Sequence, residues 1–256
     1  MISVTILTKN SEATLHAVLQ SVKTFDEVII LDTGSTDNTL EIAKEFSNCR
    51  IYKSPFIGFG TLHNLASSYA AHDWILSLDS DEVLSKELID EMTKIKLDPH
   101  RIYSIPFNNY YNGKHIKWCG WYPDRHIRLY NKLNTSFTSD YVHESIMKKN
   151  LLETSLKNPI YHYSYRSISD FLKKMDSYSD LFAKQNQYKK KSSLSKALLH
   201  GIYAFIKSYF IQRGFLGGSE GFLISLYNSQ VSFYKYMKLM ELNHAPHSSL
   251  SPGGER

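Results

Sequence analysis

An alternation in the first eighty residues constrains this chain more than any other feature. Four short apolar runs, Ile2 to Leu7, Val28 to Leu31, Arg50 to Tyr52 and Trp74 to Leu78, are separated by segments of helical spacing. Those segments are Ala13 to Val22, Leu40 to Phe46 and Leu62 to Ala71. Strands joined by helices build a parallel sheet, because a right-twisted strand returns to its own sheet through a right-handed crossover. The expected fold class is therefore α/β, Rossmann-like, with a mostly parallel sheet and helices on both faces. Ligands of such sheets bind beyond the strand carboxyl ends, so the residues after each run matter most. A helix over Ser85 to Ile95 is followed by expected strands at Tyr103 to Tyr111, His115 to Trp118 and His126 to Asn131. Asn112-Gly113 between the first two is the dipeptide of a tight hairpin, which adds antiparallel strands to the sheet.

From Ile168 the pattern is helical, with Leu194, Leu198, Ile202, Phe205 and Tyr209 marking a stripe that Ala197, Ile206 and Phe210 widen. Gly214, Gly217, Gly218 and Gly221 interrupt it before a last helix over Phe222 to Leu242, and the Pro-, Ser- and Gly-rich tail reads as disordered. The expected organisation is a main domain over 1–165, a helical extension over 166–243 and a tail over 244–256. Charge follows this division. Tyr165 to Met240 holds twelve Lys or Arg against four Asp or Glu, so a net +5 chain is −3 everywhere else. A basic, aromatic extension suits an anionic membrane or nucleic acid. Cys49 and Cys119 fit neither a disulfide framework nor a zinc site. With no export signal and no apolar run of spanning length, the chain is expected in the cytoplasm, peripheral on the inner face of the membrane.

Two strand ends carry the chemistry. After the second run comes Asp32-Thr33-Gly34-Ser35-Thr36-Asp37, whose acids and hydroxyls can grip a base or ribose, or simply cap the next helix. After the fourth comes Asp79-Ser80-Asp81-Glu82, where strand alternation sends Asp79 and Asp81 to one side. Three acids in four residues repel unless a cation neutralises them, and carboxylate oxygens suit Mg²⁺ or Mn²⁺. No glycine-rich phosphate loop is present, so a bound diphosphate would depend on that metal.

Val4 to Asn10, Leu31 to Asp37, Gly58-Phe59-Gly60 through Asn64, and Asp73 to Glu82 together resemble the inverting family 2 glycosyltransferases of GT-A fold. Gly120 to Asp124, Arg128-Leu129-Tyr130, Val142-His143-Glu144 and Arg213 to Gly218 are similar to the branch that holds bacterial lipopolysaccharide core enzymes. The resemblance implies that Thr8, Asn10, Asp32, Ser35, His63 and Asn64 meet the nucleotide. It gives Asp79 and Ser80 to ribose and diphosphate, Asp81 to the metal, and places His162 where a histidine completes the metal shell or touches diphosphate. Arg128 is a candidate phosphate donor. Gly217 stands where the family's late pattern has an acid, so that segment is given no catalytic role.

An inverting transferase needs a general base for the acceptor hydroxyl. Glu144 and Asp124 compete for it, with Glu144 preferred and Asp124 an alternative wall of the acceptor site. The expected partners are a nucleotide-sugar donor (a UDP-hexose or GDP-fucose), a glycan or glycolipid acceptor such as a lipopolysaccharide core, and an anionic membrane. Competing readings are an inactive nucleotide-sugar binding module and a nucleic-acid binder. Nucleic acid is not expected as a partner, because phosphate would be repelled by the acidic strand ends.

Overall fold

The computed structural model describes residues 1–140 and 144–244. His143 and the tail over 245–256 lie outside the described residues. The chain divides into two compact units, Met1–Asp170 and Phe171–Arg256.

The first unit opens with β1 (Ile2–Thr8), α1 (Leu15–Ser21), β2 (Glu27–Asp32), α2 (Thr39–Lys44), β3 (Cys49–Lys53), α3 (Phe59–Tyr69) and β4 (Trp74–Asp79). It continues through β5 (Glu82–Leu84), α4 (Lys86–Lys94), β6 (Arg101–Tyr111), β7 (Lys114–His115), β8 (Asp124–Asn131), β9 (Leu152–Ser155) and β10 (Ile160–Tyr165). One sheet runs β3-β2-β1-β4-β8-β6-β10-β5, with β7 and β9 also paired to β6. The first four strands are parallel, as expected, and β8 enters antiparallel between β4 and β6.

Side-chain alternation divides the core into two layers. Val4, Ile6, Val28, Ile30, Leu76 and Leu78 pack with Leu15, Val18, Leu19 and Leu88, so α1 and α4 cover one face. Ile29, Leu31 and Ile75 pack with Leu62 and Ala66 of α3 on the other. Covered faces explain why these strands read as nearly unbroken apolar runs.

Two expectations are corrected. The strand foreseen at His115 to Trp118 stops at His115 because, after Ile116 N–H bonds to Asn109 O, the chain turns through Cys119 and Gly120 at positive φ. Asn112 and Gly113 do form the hairpin, at φ 47° and 75°. In the second unit, α5 (Ile168–Asn186, which begins in the first unit) and α6 (Leu194–Ile206) lead through a π turn (Lys207–Ile211) and a 3₁₀ turn (Gly214–Gly217) into α7 (Gly218–His244). Gly218 and Gly221 thus lie inside the last helix instead of interrupting it. Gly221 is required there because a Cβ would fall 1.9 Å from the Gly214 carbonyl oxygen. Within this unit α6 packs through Ala197 and Gly201, while Leu194, Leu198 and Ile202 stay exposed. No described helix is long and apolar enough to cross a membrane.

Candidate active site

The loops after β1 and β2 are stitched together at the sheet's carboxyl edge. Asp32, buried, accepts hydrogen bonds from the backbone N–H groups of Gly34 (3.0 Å) and Ser35 (3.1 Å), from Ser35 Oγ and from Thr8 Oγ1. Asn10 donates its N–H to Ser35 Oγ at 2.9 Å and accepts from Thr36 N–H through its side chain at 2.8 Å. Ser35 and Thr36 do not cap α2, which starts at Thr39; Asp37 accepts from Thr39 N–H instead. Beside this turn lies an open cavity of about 360 Å³, lined by Asp32 to Ser35 and by Lys53, Ser54 and Pro55 at the end of β3. That volume lies within the range of small-ligand sites. Lys53 and Ser54 carried no motif that would have singled them out.

At the end of β4 the acids find an internal counterion. Arg128 Nη2 bonds Asp79 Oδ2 at 2.9 Å and also pairs with Glu82, whose side chain is fully buried. Arg128 reaches them because it sits at a bulge of β8: Leu129 faces Tyr103 and Ile127 faces Ser104, leaving Arg128 unpaired in the ladder and re-aimed. Strand alternation therefore does not send Asp79 and Asp81 to one side; β4 ends at Asp79 and Ser80-Asp81 form the turn into β5. One guanidinium balances one of the two carboxylates. Burial pushes Glu82 up to about 8. At Asp79 burial works in the same sense, but Arg128 and then His63 outweigh it and hold the carboxyl well below the usual range. Replacing Arg128 with Met leaves a buried acid without its counterion, and the expected cost is about 3–5 kcal/mol. Urea titration checks this, and Asp79→Asn added to Arg128→Met should restore part of the loss, because Asp79 is the acid that the guanidinium holds ionised.

Next to this triad, Asn109, which the sequence did not foreshadow, joins two candidate residues, Asp124 and His162, into one chain of polar groups. Asn109 of β6 donates from its amide to Trp121 O at 3.0 Å and to Asp124 Oδ2 at 2.9 Å. With both amide protons on acceptors, its oxygen faces His162 Nδ1 at 2.7 Å, and Ser164 Oγ lies 3.0 Å from the same nitrogen. His162 Nδ1 is then protonated, and Nε2 lies 3.5 Å from Asp81 Oδ1. An imidazole nitrogen and a carboxylate oxygen at that distance could both ligate one cation, with the Asn109 bond fixing the ring as outer ligands of metal sites do. Among the described residues no three His, Cys, Asp or Glu side chains converge to hold a metal. Asp124 has both carboxylate oxygens engaged, the second by His126 Nε2 at 3.0 Å. Burial opposes its ionisation, but the His126 and Asn109 bonds prevail and hold it below the ordinary range.

Helix α3 supports the segment that carries Glu144. A Cβ on Gly60 would lie 1.9 Å from Thr138 O, so only glycine lets that segment touch the helix backbone. Asn64 grips Phe137 at both backbone groups, donating to its O (3.0 Å) and accepting from its N–H (2.9 Å). His63, 1% exposed, stacks on Phe137, lies 3.1 Å from Ser77 Oγ through Nδ1, and points Nε2 at Glu144 Oε1, 3.9 Å away. The His63 and Asn64 side chains are thus spent on this support. Burial lowers His63 to about 4, so the imidazole is neutral at physiological pH. Burial also raises the Glu144 carboxyl, and the nearby Asp79 charge adds to the effect.

The family model for glycosyl transferase family 2 matches residues 3–156, more than half the chain. An uncharacterised glycosyltransferase of Rickettsia typhi is 35% identical over 257 residues, covering 94% of this chain and 87% of that protein. The lipopolysaccharide core biosynthesis glycosyltransferase LpsC of Rhizobium meliloti is 22% identical, covering 94% of this chain and 92% of its own. Among solved structures, S. aureus TarS 1–349 is similar at 17% identity with a TM-score of 0.45, covering 94% of this chain and 88% of that one. With the family model over more than half the chain and a relative at 35% identity along nearly its whole length, the chain belongs to glycosyl transferase family 2 and is a nucleotide-sugar-dependent glycosyltransferase.

Proposed function

We propose that this enzyme transfers a hexose or deoxyhexose, with inversion, from a UDP- or GDP-linked donor to a lipopolysaccharide core or related glycolipid acceptor at the cytoplasmic face of the membrane. The observation that carries the reading is a mostly buried carboxylate, Glu144, linked through His63 to Ser77 near the end of β4 in a family 2 chain. The acceptor class is supported by the similarity to LpsC over nearly the whole chain.

The base or ribose would enter the cavity beside Asp32, Gly34 and Lys53. Asp81 and His162 would hold Mn²⁺ or Mg²⁺, an imidazole beside a carboxylate favouring Mn²⁺. When bound, such an ion neutralises charge on the departing diphosphate. Glu144 would take the acceptor hydroxyl's proton as that oxygen attacks the anomeric carbon. Its raised basicity supports this role over Asp124, whose two oxygens are engaged by Asn109 and His126. Neutral His63 would position Glu144 without the cationic charge that would weaken it as a base.

The test is release of nucleoside diphosphate from a panel of UDP-hexoses and GDP-fucose with Mn²⁺, with and without deacylated core oligosaccharide. Acceptor-dependent release with one donor supports the reading; no release with any donor sinks it, and leaves a binding module. A narrower prediction concerns Asn109. Asn109→Leu frees the His162 ring and leaves Trp121 O and Asp124 without its amide, so the thermal midpoint should fall and Mn²⁺ binding per folded molecule, followed by electron paramagnetic resonance, should weaken by about 10–100-fold.

A further inference from the structure

Helix α6 is inverted relative to a helix built to pack in water. Its packed side carries Ala197 and Gly201, the latter against Phe233 and Ser229 of α7. Its large apolar side chains point outward. Leu199 and Ile202 are 68% and 57% exposed, and the face continues at Phe210 and Ile211 of the π turn and Phe215 of the 3₁₀ turn. Soluble monomers rarely leave a contiguous apolar face of this kind uncovered.

Charge identifies the occupant. From Leu181 to Ser219 the chain has seven Lys or Arg and no Asp or Glu. Lys189, Lys190 and Lys191 precede α6, and Lys207 and Arg213 stand at its far end. A second copy of the same face would bring like charges together, whereas an anionic lipid leaflet offers both a hydrocarbon boundary and the opposite sign. With 13 residues in α6, the helix is too short to span a bilayer but suits a position in the plane of its surface.

We propose that α6 and the two turns after it insert in plane into an anionic lipid leaflet, with the apolar face at the acyl boundary and the flanking lysines at the headgroups. This goes beyond the transferase reading and is tested without any measurement of transfer.

The full chain is floated with vesicles of phosphatidylcholine alone or mixed with phosphatidylglycerol, at low and high salt. Binding to the mixed vesicles is expected. It should weaken by about tenfold or more when Ile202, Ile206 and Phe210 are all changed to Glu, and also when Lys189, Lys190 and Lys191 are changed to Glu. Because these side chains are exposed, helical circular dichroism should be unchanged. A second measurement does not rely on those variants. The native tryptophans, at 74, 118 and 121, all lie in the first unit, so Ile202→Trp places a reporter on α6. Its fluorescence should be quenched by brominated acyl chains beyond the quenching of the parent. The proposal fails if the parent does not float with anionic vesicles, or if the triple Ile202, Ile206, Phe210 variant binds as the parent does. It also fails if Ile202→Trp shows no added quenching, or if the apolar variant merely abolishes self-association seen by sedimentation without lipid.

Discussion

Changing Asp81 to alanine is expected to abolish sugar transfer while leaving the fold intact. The two neighbouring acids of the β4 end have structural duties: Asp79 is paired with Arg128, and Glu82 is buried against the same guanidinium. Asp81 instead sits in the turn between β4 and β5, with its Oδ1 3.5 Å from His162 Nε2. Removing its carboxylate takes away half of the proposed protein ligand set and leaves the leaving-group charge uncompensated, an effect of about 10³-fold or more on turnover. The thermal midpoint should change little, since the turn is partly exposed. Nucleoside diphosphate binding in Mn²⁺ should weaken in parallel, measured by calorimetry with and without the metal. Asp79→Asn gives the contrast, because it unbalances Arg128 and should lower stability as well as activity. Normal transfer by Asp81→Ala, or transfer that survives exhaustive chelation, would remove the metal role from this turn.

The strand ends were legible because a parallel sheet obliges its functional residues to follow its apolar runs, and Asp32 and Asp79 to Glu82 do so. Their partners were not. Arg128 reads as an ordinary strand residue, and only the bulge between Ile127 and Leu129 turns it onto the acids. Asn109 is a lone polar residue in an apolar strand, and its importance arises from contacts with residues 12 to 53 positions away. The Gly58 to Asn64 motif was visible as a motif, yet its role as a support under Phe137 and Glu144 depends on backbone contacts that spacing does not encode. The three late strand segments were missed for simpler reasons. β5 is 3 residues long, and β9 is exposed and polar, so neither has a clear two-residue period. β10 is tyrosine-rich and half-buried, and its register shifts after His162. In the second unit the helical period was readable, but not its direction: the small residues Ala197 and Gly201 choose the packed side, against the usual rule that the largest apolar side chains do.

Glu144→Gln should lower turnover by about 10²–10⁴-fold with donor affinity nearly unchanged, because the amide keeps the shape of the carboxylate but cannot accept a proton. The pH profile makes the test specific. A general base works only when ionised, so activity falls as pH drops through its pKa. Burial raises Glu144, with the Asp79 charge adding to the effect, and the acid limb of kcat/KM is therefore expected above the ordinary glutamate value. Asp124, held low by His126 and Asn109, would instead place that limb below the ordinary aspartate value. Neutral His63 matters to this argument: it lies 3.9 Å from Glu144, and its own pKa near 4 means that no imidazolium charge is present to pull Glu144 down across the working range. His63→Gln should loosen Glu144 and reduce kcat more than donor affinity, without moving the acid limb below the ordinary glutamate value. If Glu144→Gln turns over normally while Asp124→Asn does not, and the parent's acid limb lies low, Asp124 is the base and Glu144 belongs to the wall of the acceptor site.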